Sequence, residues 1–177
     1  MGLFTKTIPE RKWVEVSAAL HNSMKHYRAS WFKDFVDHVF PLGIGLRSRE
    51  LTKEIEGNLG ILQFVVAATT VRENGYVTLK DFDFFIDLIS ISITSKKMEG
   101  LDSKSFFELA AGSDPKIATQ KWAFMMLPLV AGTEHNQKLA EVLSQWAMLL
   151  AVQSKIQTCE ACGDRKGAEK VRKLFRG

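Results

Sequence analysis

Few groups of side chains in this sequence have types and spacing suited to chemistry, and most stop short of a complete site. Cys159 and Cys162 stand three apart, which on a helix puts both thiols on one face. That pair is half of a zinc centre, but structural zinc takes four ligands. No second pair exists, and His21, His26, His38 and His135 are scattered. Two small thiols packed at a helix end, in a reducing compartment, is the expectation. The stretch Asn74–Phe82 resembles the second half of an EF-hand loop, with Gly75 at the sharp turn and Asp81 at the last position. In that frame the first and third ligands are Thr70 and Arg72, and an arginine in the ligand ring repels calcium. A plain helix–turn–helix is expected, with no metal and no cofactor.

The loop Gly43-Ile44-Gly45 has two glycines of a dinucleotide fingerprint, but Ser48 stands where the third belongs. No parallel-strand context precedes it, so a Rossmann site is rejected. A helix starting at Arg49 with Ser48 as its cap still offers free N–H groups and a positive dipole end, a setting that suits phosphate. Arg47 and Arg49 flank that cap, and Lys53 follows one turn later. The competing reading is a solvated turn in which Arg49 pairs with Glu50 or Glu54. There is no Gly-x-Ser-x-Gly elbow, no Walker loop and no His-Glu-x-x-His, so nothing marks an enzyme.

Charge is the stronger signal. The 177 residues carry a net +4, unevenly placed. Residues 165–177 hold six basic residues (Arg165, Lys166, Lys170, Arg172, Lys173 and Arg176) against Glu169 alone. Residues 1–33 also hold six, among them Lys12, Lys25 and Arg28, against Glu10 and Glu15. The middle is net acidic. Basic ends on an acidic body attract polyanions, so these residues, with Arg47, Arg49 and Lys53, are the candidate nucleic-acid contacts. A solubilising tail is the plain alternative for the C-terminal helix.

The elements that must position these residues read as helices. The composition is 46% hydrophobic and 25% charged with four prolines, which gives enough apolar material for a core and favours helix. Thr7 and Pro9 suit a helix start, and Trp13, Val16, Leu20, Met24, Tyr27, Trp31 and Phe35 recur at helical steps, with a break expected near Ala29–Ser30 and an end at Pro41. Gly57 and Gly60 are expected to punctuate the next segment, leaving Ile61–Arg72 as a buried helix. Thr78 caps a helix whose tail, Ile89–Ile93, alternates like a strand. The helical period from Phe82 to Ile89 decides for helix. Short helices are expected over 103–111 and 114–127, then a long one from Thr133 to Gly163, then a last one with Ala168, Val171 and Phe175 on its stripe. The fold class is all-α, with about eight or nine helices in an N-terminal half (1–97) and a C-terminal half (98–177).

The segment Phe82–Ile93 is apolar almost all round, so it is either central or covered by another subunit, and a homo-oligomer is expected. No run approaches the roughly 18 apolar residues of a membrane span. The N-terminus lacks a signal-peptide core, and Lys6 stands where a myristoylation signal wants Ser or Thr. A cytoplasmic protein with no membrane contact is the expectation.

Length, all-helical organisation, basic termini and absence of catalytic motifs together resemble the closterovirus RNA-silencing suppressors of the beet yellows virus type. The resemblance implies a helical protein assembled into an octameric ring that binds RNA, single-stranded and as small duplexes, without sequence preference, through a basic inner surface. It implies a suppressor of RNA silencing acting in the host cytoplasm. The rival expectation is a helical protein-interaction module or effector that docks a host protein through an exposed apolar face.

Overall fold

The computed structural model describes residues 7–39, 49–94 and 137–176. A 3-10 turn, Glu10–Lys12, leads into α1 (Trp13–Val39). It is followed by α2 (Arg49–Glu73), α3 (Phe82–Thr94), α4 (Gln137–Ala161) and α5 (Arg165–Arg176). No strand occurs among the described residues. The helices expected over 103–111 and 114–127, and the loop 43–47, lie outside them.

The spacing read from α1 describes a buried stripe. Trp13, Val16, Leu20, Met24, Trp31 and Phe35 are all buried. The expected break at Ala29–Ser30 does not occur, and α1 runs unbroken for 27 residues. Tertiary packing overrides the weak local preference there: Trp31 stacks on Phe35 with centroids 5.0 Å apart, and both meet the Trp146 ring edge-on. The Trp31 indole N–H also donates to the Trp146 carbonyl at 3.2 Å, which locks α1 to α4.

Gly57 and Gly60 do not interrupt α2 either. The helix passes through both, since a helical glycine costs only about 1 kcal/mol relative to alanine. Gly60 has a packing reason to be small. A Cβ there would lie 2.6 Å from the Arg28 guanidinium, which crosses α2 at that point. From Leu59 to Val71 α2 is buried nearly all round, through Leu59, Leu62, Phe64, Val65, Ala67, Ala68 and Val71. Gln63, fully buried, is hydrogen bonded at both ends of its amide: its nitrogen donates to the Met24 carbonyl and its oxygen accepts from Arg28.

In α3 the helical period prevails over the strand-like alternation, and Phe85, Ile86, Ile89 and Ile93 are buried. The helix begins later than Thr78 suggested: the Thr78 hydroxyl donates to the Asp81 carboxylate at 2.7 Å within a turn that precedes Phe82. Pro9, not Thr7, is the cap residue of the N-terminal turn, and no side chain caps it. Phe175, expected on the buried stripe of α5, is 56% exposed, because it lies in the last turn of a helix whose burial rests on Ala168 and Val171.

The arrangement follows from which helices touch. α1 and α2 contact each other, and α3 and α4 each pack against both. α5 packs on α4. Among the described residues α3 contacts neither α4 nor α5, so it lies across the α1–α2 pair from them. Buried hydroxyls on this framework bond back to the preceding turn: Thr70 to the Val66 carbonyl, Ser154 to Leu150 and Thr158 to Ser154. No helix among the described residues is long and apolar enough to cross a membrane.

Candidate nucleic-acid interface

Two matching helix ends frame the candidate residues. α2 closes on Gly75 and α4 on Gly163, both in the left-handed region at φ 62° and 78°. In each, the glycine N–H reaches back to the third carbonyl before it and the next residue's N–H to the fifth: Gly75 to Arg72 and Tyr76 to Val71, then Gly163 to Glu160 and Asp164 to Cys159. These are paired Schellman caps, which use glycine because a Cβ disfavours that backbone conformation. The Asn74–Gly75 signal therefore marks a helix terminator. Among the described residues no cluster of three or more His, Cys, Asp or Glu could hold a metal ion.

Tyr76 and Asp164 each stand one residue beyond their glycine. The Tyr76 hydroxyl donates to Asp164 Oδ2 at 2.7 Å. The other oxygen, Oδ1, accepts the Gly167 N–H at 2.8 Å, so Asp164 is also the N-cap of α5. The Tyr76 carbonyl accepts the Ile8 N–H at 2.7 Å, and the Ile8 carbonyl accepts the Trp13 indole N–H. One residue thus holds the chain just before its first basic turn, Arg11–Lys12, and just before its last basic helix. The separation of the two ends along the sequence hides this junction.

The expected contacts fall into distinct groups. Lys12 and Lys25 are exposed in the first turn and on α1. Arg165, Lys166, Lys170 and Lys173 are exposed on α5, where, with Glu169 and Leu174, they line a shallow open depression. Arg172 turns back towards the body, ion-paired with Glu160 and with Glu169. Arg49 and Lys53 lie in the first two turns of α2, and Arg176 ends α5. Arg47 lies outside the described residues.

Arg28 is committed internally. Its guanidinium donates to Gln63 Oε1 at 3.1 Å and to the Ile93 carbonyl at 3.3 Å. Ile93 sits at the C-terminal end of α3, so a cation there meets the negative end of the helix dipole. Burial lowers the Arg28 pKa, opposed by the nearby Glu56.

The electrostatics of the junction follow from its hydrogen bonds. Asp164 is held below the ordinary aspartate value by the Tyr76 hydroxyl first and the Gly167 amide second. Tyr76 is raised far above the ordinary tyrosine value, mainly by burial, with Cys159 and Asp164 adding to it. Burial pushes the Cys162 thiol up to about 12 and also raises Cys159. Burial dominates at this helix end and disfavours the reactive thiolate, although the Tyr76 hydroxyl and Lys155 act in the opposite direction at Cys159.

No protein-family model, curated protein or solved structure matches the chain.

Sequence reasoning missed Ile8, Tyr76 and Asp164, which organise the site without carrying its charge. The repeated pattern of a glycine closing a helix, at Gly75 and Gly163, was the signal available.

Proposed function

We propose that this chain binds RNA without sequence preference, through the phosphate backbone, and sequesters small silencing RNAs in the cytoplasm of a host cell. The observation that supports this most directly is the junction at Tyr76. It brings the start of the N-terminal basic turn and the start of the C-terminal basic helix to one place on the molecule. Lys12, Arg165, Lys166, Lys170 and Lys173 are all exposed and suited to phosphate. Duplex RNA is recognised mainly by its shape, phosphates and 2′-hydroxyls, which calls for spread lysines and arginines and no deep pocket. Self-association as a homo-oligomer, in the form of a ring, would multiply such modest patches into one avid surface.

The test is the salt dependence of binding to two short RNA duplexes of unrelated sequence. Counterion release makes affinity fall linearly with salt on logarithmic axes, with nearly the same slope for both duplexes. Replacing Lys166, Lys170 and Lys173 together by glutamate should lower affinity at least about tenfold and flatten the slope. Unchanged retention of RNA by that variant would remove α5 from the site.

A second reading is favoured by the exposed apolar residues Phe84 and Ile91 on α3. It is a protein-interaction module, with charge reversal on α5 leaving its partner binding intact.

A further inference from the structure

Two surfaces of this chain are complementary and cannot reach each other within one molecule. The first is the outer face of α3. Phe84 is 65% exposed and Ile91 48%, with half-buried Leu88 between them. They fall at steps of four and three, which makes one continuous apolar stripe. Asp87 lies three residues after Phe84 and four before Ile91, so it borders the stripe, and Asp83 is exposed beside it. α3 contains no basic residue, although Lys80 is exposed in the turn before it. The second surface is the outer face of α5. Leu174 is 69% exposed, one turn after Lys170 and adjacent to Lys173, with Lys166 one turn further back. The α3 face is an apolar stripe with an acidic border; the α5 face is one exposed leucine bordered by three lysines and by a single carboxylate, Glu169, so the borders are of opposite net sign.

α3 packs on α1 and α2 while α5 packs on α4, and the two helices make no contact. The complementary faces are therefore held apart across the α1–α2 pair. We infer that the outer face of α5 docks on the outer face of α3 of a second copy of this chain, a head-to-tail contact. Such an interface uses different patches on its two sides, so each added copy leaves one α3 face and one α5 face open until the assembly closes on itself as a ring. This inference rests on the two faces alone and stands apart from the RNA reading. It narrows that reading in one respect: Lys170 and Lys173 engaged in a joint are withdrawn from phosphate, so assembly multiplies only the basic residues outside the joints, such as Lys12.

The experiment measures the mass of the full-length, nucleic-acid-free chain by light scattering after size exclusion. Variant one carries Phe84→Ser and Asp87→Lys. Variant two carries Lys170→Ser, Lys173→Ser and Leu174→Ser. All five sites are exposed, and circular dichroism checks that the helices persist. The wild type should gain mass with concentration. Each variant alone should be monomeric. Their equimolar mixture should give twice the monomer mass and grow no further, because only one joint, α5 of variant one on α3 of variant two, stays intact. A wild type that stays monomeric, a variant that still self-associates, or a mixture that stays monomeric overturns the inference. Loss of RNA binding with this pattern of masses intact would refute only the RNA reading.

Discussion

Tyr76 and Asp164, 88 residues apart, occupy the same position in two copies of one helix-ending motif, and the tyrosine hydroxyl donates to the aspartate carboxylate at 2.7 Å. The carboxylate also caps α5. Removing it should cost more than removing the phenol. Tyr76→Phe should destabilise by about 1 kcal/mol, the net worth of one hydrogen bond. Asp164→Ala removes the cap and strands a buried hydroxyl, and should cost about 2–3 kcal/mol. Urea denaturation of both single variants and the double variant provides the measurement. A double-variant loss smaller than the sum of the singles is expected, because the two groups share one bond.

The same pair sets a pH dependence. Asp164 is depressed in the folded chain, so its contribution is complete above the ordinary aspartate value of 3.8 and is lost as pH falls through its lower folded value. Tyr76 is raised, so its contribution is complete below the ordinary value of 10.0 and declines as pH rises beyond it. Thermal midpoints measured across pH should therefore show an acid limb that flattens in Asp164→Asn and an alkaline limb that flattens in Tyr76→Phe.

Two glycines inside helices should respond oppositely to alanine. At Gly57 an added Cβ meets nothing within 4 Å, so Gly57→Ala should stabilise by about 0.5–1 kcal/mol through helix propensity. At Gly167 the Cβ would lie 2.3 Å from Asp164 Oδ2 and push the cap out of place. Gly167→Ala should destabilise despite the same propensity gain. Denaturation midpoints of the two variants decide it.

The thiols should be inert in the native state. With burial pushing Cys162 up to about 12 from 9.0, its thiolate should be scarce at pH 8. Cys159 is buried and raised as well. Labelling by a disulfide reagent at pH 8 should be slow on the folded chain and fast after denaturation.

What could be read from the sequence was the periodicity. The stripe of α1 and the choice of helix over strand at Ile89–Ile93 came from spacing, which needs only neighbours along the chain. The breaks expected at Ala29–Ser30 and Gly60 failed where Trp146 of α4 and Arg28 of α1 act from other elements, and at Gly57 the helical cost of a glycine is too small to end α2. Charge could be counted but not assigned. Lys25 and Arg28 stand three apart in one basic end, yet the first is exposed and the second donates to Gln63 and Ile93. Only the approach of α2 and α3 distinguishes them. Likewise Arg172 looks like its neighbours in sequence, and only the end of α4 supplies its partner Glu160.

α3 and α4 share their neighbours but not each other. Neither helix covers the amides of the other, so each can open while its counterpart stays closed. Hydrogen exchange should then resolve two separate protection classes around a more slowly exchanging α1–α2 pair, one for α3 and one for α4 with α5. A molecule of this kind can loosen one flank and remain assembled on the other.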